Sequence, residues 1–274
     1  MRELGWIEGK NILIERRYSG GNDDRLKELA AEIVRLEVDV IVAAATKCTQ
    51  TAKDATSRIP IVFVGVGDPA PRFVESLARP SGNITGVAFD ATPEITAKQM
   101  QIIVAAIPGI SRVAILWTPG TPYIISCLKV AETVSSTLNV ILQSVEVQKP
   151  DELETAFITM IQERADAVIV LSDAFTNLCR TRITELAAQH RIPALYGNSE
   201  FLGVGGLMSY GPSLPGLYHR AATYVDRILK GEKPANIPVE QPTNFYLAIN
   251  MNVAKAMGFN VPPSVLALAD EVIE

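Results

Sequence analysis

The hydrophobic positions along the chain fall into two alternating kinds of segment. Short apolar runs rich in β-branched residues, such as ADAVIVL at 165–171, are too short for helices and indicate buried strands. Longer segments between them carry apolar residues at helical spacing, for example DDRLKELAAEIVRLE at 23–37 and NLCRTRITELAAQH at 177–190. Strand and helix alternate along the chain, which predicts an α/β fold with parallel sheets.

The same pattern gives approximate bounds for the elements. Strands are expected at residues 11–17, 39–45, 60–66, 84–89, 112–117, 140–146, 165–171, 191–197 and 205–210, with an extended segment at 237–250. Helices are expected within 20–37 and at 47–57, 93–106, 122–138, 151–163, 177–190, 214–230 and 251–257. An Asn/Asp cap is expected to open the first helix, and Asp68 followed by Pro69 to open a further short one.

Two parts of the chain resemble each other. Residues 38–65 run in step with residues 165–197, so that Thr46 corresponds to Asp173, and the helix of each part ends in Arg-Ile-Pro. Together with the chain length of 274 residues, this repetition predicts two similar α/β halves.

The composition of the chain argues against several classes of function. Apolar residues make up 48% of the chain and charged residues 20%, with a net charge of −5, which argues against a nucleic-acid partner. The three cysteines are far apart and odd in number, so they predict no disulfide framework. The two histidines, His190 and His219, lie deep in helical segments, and nothing indicates a Ser/His/Asp triad, a metal ion or a cofactor.

One short motif fits the letter of a dinucleotide-binding fingerprint. Gly65 to Ala70 matches G-x-G-x-x-G/A, and Asp90 follows about 20 residues later. The fingerprint belongs to the first strand–helix turn of a fold, however, and Pro69 removes an N–H where the pyrophosphate would need donors. We therefore prefer Asp68 as a plain helix cap.

Polar and aromatic side chains gather at the carboxyl ends of the predicted strands, where open α/β sheets bind ligands. The candidate ligand-binding residues are Thr46, Lys47, Gly67, Asp68, Phe89, Thr118, Thr121, Tyr123, Asp173, Phe175, Tyr196, Glu200 and Tyr210. A helix N-terminus after Thr46 suits a carboxylate, while Asp173 or Glu200 suits an ammonium group. The aromatic residues suit an apolar or aromatic body, so the set predicts a site for a small zwitterion.

Each of these residues also has a simpler interpretation. Thr46 and Asp173 are equally well explained as helix caps. The tyrosines are individually better explained as half-buried strand residues, and Lys47 as a solvated side chain. Asp173 and Glu200 also fit a catalytic carboxylate pair, although no partner base accompanies them.

Several stretches, in order and over essentially the whole chain, resemble the solute-binding proteins of ABC importers of the tryptophan-binding-like kind. They include GWIEGKNILIERRYSGG, RIPIVFVGVGDP, RPSGNITGV, RIPALY and the closing VPPSVLALADEVIE. The resemblance implies a type I periplasmic-binding fold, in which two Rossmann-like lobes with parallel sheets are joined by three crossover strands and close on a ligand. The implied lobes are 1–89 with 212–237 and 90–211 with 238–274, with crossovers near 89–92, 210–213 and 238–245.

The resemblance also implies a function. The chain is expected to be a non-enzymatic receptor that captures a small molecule, such as an aromatic amino acid, in the cleft between its lobes. It would present the ligand to the permease subunits of an ABC importer, in the periplasm or anchored outside the membrane. The implied cleft residues are Thr46, Asp68, Thr118, Thr121, Tyr123, Asp173, Tyr196 and Glu200. A doubly wound enzyme and a cytoplasmic ligand-sensing domain remain the alternatives.

The start of the chain differs from the family pattern. Members carry an export signal or lipoprotein cysteine, then a strand and a helix before the segment that corresponds to GWIEGKN. Without that central strand, strands 11–17 and 39–45 would each lack a ladder partner, because the lobe order is 2-1-3-4-5. We expect the two edges to pair with each other, or a second copy to fill the gap.

Overall fold

The computed structural model describes residues 1–20, 22–67, 69, 72–89, 92–120 and 122–274. The α-helices are α1 Asp23–Arg35, α2 Ala45–Ala55, α3 Ile95–Ala106, α4 Pro122–Leu138, α5 Glu152–Gln162, α6 Ala174–Leu178, α7 Arg180–Gln189, α8 Leu214–Leu229, α9 Met251–Met257 and α10 Pro263–Leu266. The strands are β1 Ile41–Ala44, β2 Ile61–Val66, β3 Ile84–Ala88, β4 Arg112–Trp117, β5 Ile141–Glu146, β6 Ala167–Val170, β7 Ala194–Tyr196, β8 Met208–Gly211, β9 Tyr246–Asn250 and β10 Glu271–Ile273. Within these ranges no helix is both long and apolar enough to span a bilayer.

The chain divides into two compact units. Unit 1 comprises Met1–Ala91 with Leu214–Thr243, and unit 2 comprises Thr92–Ser213 with Asn244–Glu274. The sequence assigned residues 238–243 to the second lobe, but in the structure they belong to unit 1. The cause is local: Val239 is buried in the unit 1 core, and Glu240 forms a bridge with Val87 at the edge of β3.

Unit 1 is built on a three-stranded parallel sheet in the order β1-β2-β3. One face of the sheet packs against α1 and α2, and the other packs against α8. The central strand β2 alternates between the two cores: Phe63 lies in one, and Val62 and Val64 lie in the other. Both faces are covered, which is why the strand is a continuous apolar run rather than an alternating one.

The predicted strand at 11–17 is wrong. Residues 13–19 form no regular element, and only Ile12 makes an isolated bridge, to Glu8. Ion pairs hold the segment instead, with Arg17 bound to Glu32 of α1 at 2.7 Å. Ile12 and Ile14, which form the apolar face of the alternating pattern, are only half-buried, and Leu13 on the opposite face is 77% exposed.

The expected pairing between the two orphaned edges is wrong as well. Among the described residues β1 pairs only with β2. With 11–17 not a strand, the first edge of the expected pair does not exist. Pairing with a second copy stays a prediction.

Unit 2 contains a seven-stranded sheet in the order β10-β9-β8-β7-β6-β4-β5. Strands β5, β4, β6, β7 and β8 run parallel, and β9 is antiparallel to β8. Helices α3, α4 and α9 cover one face and α5 and α7 the other. The chain leaves β4 toward β5 on one side and returns to β6 on the other. The strand order therefore reverses between β4 and β6, and the carboxyl ends of these strands flank the usual ligand crevice of such sheets.

Two helix starts differ from the expected ones. Helix α2 begins at Ala45, and its cap residue Ala44 has no side-chain hydrogen bond, so Thr46 lies inside the first turn and is not the cap. The expected cap Asp68 lies outside the described residues. Of its predicted helix, the described residues 69 and 72–83 include no residue assigned to a helix, although Phe73 N–H donates to Pro69 O at 2.7 Å. The cap of α1 is confirmed, since Asn22 Oδ1 accepts a hydrogen bond from Arg25 N–H.

Gln143 places a buried amide on β5. The residue is 6% exposed, and neither polar atom of its side chain has a hydrogen-bond partner. We expect Gln143→Met to raise the free energy of unfolding by about 1–2 kcal/mol, because the desolvated amide is removed at similar volume. Chemical denaturation of both proteins measures this change, and a less stable variant would mean that an ordered water satisfies the amide.

Candidate functional site

The candidate site of unit 2 lies where the order of its strands reverses. Strand β4 ends at Trp117 and is followed by Thr118, and β6 runs through Leu171 into Ser172 and Asp173. Leu171 N–H donates to Leu116 O at 3.0 Å, so the ladder between β4 and β6 continues up to the point where both turns begin. The turns that carry Thr118 and Asp173 are therefore neighbours.

Asp173 is the N-cap of α6. Its carboxylate accepts Thr176 N–H at 2.7 Å, and its own N–H donates to the Thr176 hydroxyl at 3.0 Å, which completes a capping box. The sequence left the cap and the ligand contact as equal alternatives, and the structure shows that the cap is present. A cap uses only part of the hydrogen-bonding capacity of a carboxylate, so both roles remain compatible.

The electrostatic state of Asp173 is unusual for a capping residue. Burial raises the pKa of its carboxyl above the ordinary value, and hydrogen bonds from Thr176 together with the nearby Thr118 hydroxyl offset this only in part. Among the described residues no cation pairs with Asp173. The result is a half-buried carboxylate whose charge the described protein groups do not neutralise.

Thr118 supplies a second group to this position. Its Oγ1 is buried and faces Asp173 closely enough to lower the pKa of the carboxyl, but it forms no well-aligned hydrogen bond. A hydroxyl both donates and accepts hydrogen bonds. The pair therefore offers an anionic acceptor and an unpaired hydroxyl side by side.

Glu200 is held by a polar cluster that the sequence did not assign to the site. The Asn198 side chain donates to Ser172 Oγ and to Asn177 Oδ1, each at 3.1 Å, and accepts Glu200 N–H at 3.1 Å. The Glu200 side chain itself is exposed. The sequence shows polar residues at the strand ends but carries no signal that Ser172, Asn177 and Asn198 bond to one another, because their positions depend on the adjacent placement of β6 and β7.

The aromatic candidates occupy different environments. Tyr196 is only 1% exposed, packs in the core beneath α5 and α7 and stacks on Phe201 with ring centroids 4.4 Å apart. Burial raises the pKa of its hydroxyl. Tyr196 therefore packs as a core residue, and its contact with a ligand stays a prediction. Tyr123 and Phe175 are half-buried and pack on opposite faces of the sheet.

Tyr210 lies on β8, away from the strand reversal. Its ring is tilted against Phe245 at 6.1 Å between centroids, and its backbone carbonyl accepts Gln99 Nε2 at 3.0 Å. Burial, and then the charge of Asp270, raise the pKa of the Tyr210 hydroxyl. The structure therefore does not group Tyr210 with Thr118 and Asp173.

In unit 1 the candidates follow the three parallel strands. Thr46 and Lys47 lie in the first turn of α2 after β1, Gly67 follows β2, and Phe89 follows β3. Parallel strands end at one edge of a sheet, so these residues share that edge. At the start of α2, Ala45 has a φ of 62°, a left-handed conformation that is uncommon for alanine. Two further candidates, Asp68 and Thr121, lie outside the described residues.

The described residues contain no group of three or more histidine, cysteine or acidic side chains arranged to hold a metal ion. The polar groups of the candidate site in unit 2 are carboxylate, hydroxyl and amide. Such a set binds and orients a small polar molecule through hydrogen bonds and one charge.

Comparison with known proteins identifies the family. The model of the ABC transporter substrate-binding protein family matches residues 1–273. The chain belongs to this family. Proteins of this family bind a small molecule outside the cytoplasmic membrane, and the family is one of binding proteins rather than enzymes.

Individual relatives agree with this assignment. The substrate-binding protein described here is 22% identical to the tyrosine-binding protein of Clostridioides difficile over 260 residues. The matched region covers 94% of this chain and 74% of the relative. A conserved domain protein from Vibrio cholerae is 25% identical, with a TM-score of 0.88 over 99% of this chain and 90% of that one. The ABC domain in complex with L-Trp from Streptococcus pneumonia is 23% identical, with a TM-score of 0.86 over 99% and 92%. These structures share the expected periplasmic-binding type of fold.

Proposed function

We propose that this substrate-binding protein captures an α-amino acid with an aromatic side chain. The observation that carries the proposal is the half-buried Asp173 carboxylate, which has no cationic partner among the described residues, beside the unpaired Thr118 hydroxyl. A ligand ammonium group supplies a positive charge and three donors, which match these two groups. Similarity to a tyrosine-binding protein and to a domain solved with L-Trp supports an aromatic amino acid.

Asp173 is the stronger of the two carboxylates proposed for the ammonium group. The Glu200 side chain is exposed, so water screens its charge, whereas Asp173 is half-buried and burial raises the pKa of its carboxyl. An ion pair gains more where water is excluded, provided that hydrogen bonds hold the carboxylate in place. The capping box at Thr176 supplies such bonds.

The side chain of the ligand also has proposed partners. In unit 2 the half-buried rings of Tyr123 and Phe175 are the proposed contacts for an aromatic side chain.

We further propose that the protein acts as a non-catalytic receptor for an ABC importer. In this role it presents its ligand to permease subunits, either in the periplasm or from an anchor outside the membrane. The family assignment supports this role. A catalytic pair formed by Asp173 and Glu200 is less favoured, because Asp173 has no neighbouring base and is used as a helix cap.

A thermal-shift screen over amino acids and small organic acids tests the proposed ligand class. A ligand present at about 100 times its dissociation constant adds roughly 2.7 kcal/mol to the stability of the folded state. We expect L-tyrosine or L-tryptophan to raise the melting temperature by several degrees, and the matching amino acids without a free ammonium group, such as N-acetyl-L-tyrosine, to have no effect. Equal shifts with and without the ammonium group would contradict the proposal.

A further inference from the structure

Asn198 lies at the carboxyl end of β7 and is almost completely buried, with 1% of its surface exposed. Both protons of its amide nitrogen are used, by Ser172 Oγ and by Asn177 Oδ1, each at 3.1 Å. Its oxygen accepts Glu200 N–H at 3.1 Å. A backbone N–H can only donate, so Glu200 fixes which end of the amide is the oxygen.

Part of this arrangement is ordinary helix capping. Asn198 is the N-cap of the short 3-10 segment Ser199–Val204, and its bond to Glu200 N–H is the capping bond. A cap needs only an acceptor, however, and serine provides one as well as asparagine does. The two bonds to Ser172 and Asn177 come from the donor end of the amide and cross to the turn after β6. Capping does not account for them.

The two acceptors stand on either side of Asp173. Ser172 precedes it directly, and Asn177 lies one turn further on in α6, whose N-cap is Asp173. The turn after β7 also packs on the same place, because a Cβ on Gly197 would lie 2.4 Å from Ser172 Oγ. The Asn198 amide, at the end of β7, therefore forms hydrogen bonds with one residue on each side of Asp173.

The chemistry of the amide also matters. A lysine or arginine in this position would hold the turn equally well, but it would neutralise the Asp173 charge. The asparagine side chain is neutral, so it fixes the position of the turn and leaves the charge of the carboxylate to a ligand.

From this geometry we infer that Asn198 is a positioning residue for ligand binding. Its hydrogen bonds join the Asp173 turn to the Glu200 turn and so fix the orientation of the Asp173 carboxylate. The inference rests on the proposed function, in which Asp173 binds the ammonium group of an amino acid.

The test separates capping from positioning through Asn198→Ser. Serine keeps an acceptor for Glu200 N–H, but its shorter side chain has one hydroxyl proton in place of the two amide N–H groups that bond the Asp173 turn. We expect calorimetric titration with L-tyrosine and L-tryptophan to show binding about tenfold weaker than that of the parent protein, with the variant still folded at the assay temperature. Gln143→Met, a change at a buried amide on the edge strand β5, serves as the control because Gln143 makes no hydrogen bond to either turn, and it is expected to bind like the parent.

A second variant tests whether the effect passes through Ser172. We expect Ser172→Ala to weaken binding as well, and the double variant with Asn198→Ser to lose less than the two single losses combined, since both remove the same bond. Unchanged affinity in Asn198→Ser would overturn the inference and leave Asn198 as a cap alone.

If the parent protein binds neither amino acid, a measurement without ligand still tests the positioning role of Asn198. That outcome would refute the proposed ligand but not the positioning role. Amide hydrogen exchange over residues 172–178 is then expected to be about fivefold faster in Asn198→Ser than in the parent and in Gln143→Met. Equal exchange rates in all three proteins would overturn the positioning role.

Discussion

Replacing Asp173 by asparagine is expected to weaken binding of an aromatic amino acid by about 2–5 kcal/mol, because a desolvated charge loses its partner. The same change is expected to leave the ligand-free protein at least as stable at neutral pH. Asparagine caps a helix as well as aspartate does, and the variant no longer holds a half-buried carboxylate without a cation among the described residues. Calorimetric titration measures the first effect and denaturant unfolding the second.

The pH dependence of stability gives an independent check on Asp173. Its pKa is raised in the folded protein, so its contribution to stability is fully present below the unfolded pKa and is lost as the pH rises through the folded value. Asp173→Asn is expected to remove this loss. The free energy of unfolding of the variant, measured relative to that of the parent, is therefore expected to increase as the pH rises above about 4. A parallel dependence in both proteins would show that Asp173 is not perturbed.

Asp166 offers a matched control in the same unit. Burial raises the pKa of its carboxyl, but three hydrogen bonds from Ser111 and Arg112 outweigh this and lower the pKa overall. Its contribution is therefore present above the unfolded pKa and is lost as the pH falls. Asp166→Asn is expected to destabilise the fold at neutral pH and to leave ligand affinity unchanged.

If Asp173→Asn and Glu200→Gln both bind like the parent, the ammonium assignment is wrong.

Gly211→Ala is expected to lower the free energy of unfolding by about 3 kcal/mol. A Cβ built on Gly211, the last residue of β8, would lie 1.8 Å from Gly197 O, and this neighbour is backbone that cannot rotate away. Either β8 or the turn of Gly197 and Asn198 must move. Because that turn also carries the bonds to Ser172 and Asn177, we expect ligand binding to weaken together with stability.

Gly203→Ala is the control for this substitution. Gly203 lies in the same unit, in the segment Ser199–Val204, and a Cβ there would meet nothing within 4 Å. Its replacement is expected to change stability by no more than about 0.5 kcal/mol. Urea unfolding of the two variants compares them directly, and similar losses in both would show that the close approach of Gly211 and Gly197 is not the cause.

Periodicity alone determined much of the architecture. Where an apolar run is covered on both faces, as in β4 at Arg112–Trp117, or where a helix has a clear start, as in α4 at Pro122–Leu138, the expected and observed bounds coincide. The segment 11–17 failed because alternation describes a side-chain pattern and not a ladder partner. A strand exists only if a neighbouring backbone is there to pair with it.

For the candidate site too, some features follow from the sequence and others from the fold. Local pattern and residue order are enough to predict the α/β class, the family resemblance and the placement of Thr118 and Asp173 after strands. Only the tertiary structure decided that β4 and β6 are neighbours, that Tyr196 belongs to the core, and that Asn198 joins two turns. Burial and hydrogen bonding between segments distant in sequence depend on strand order, and strand order is a property of the folded sheet.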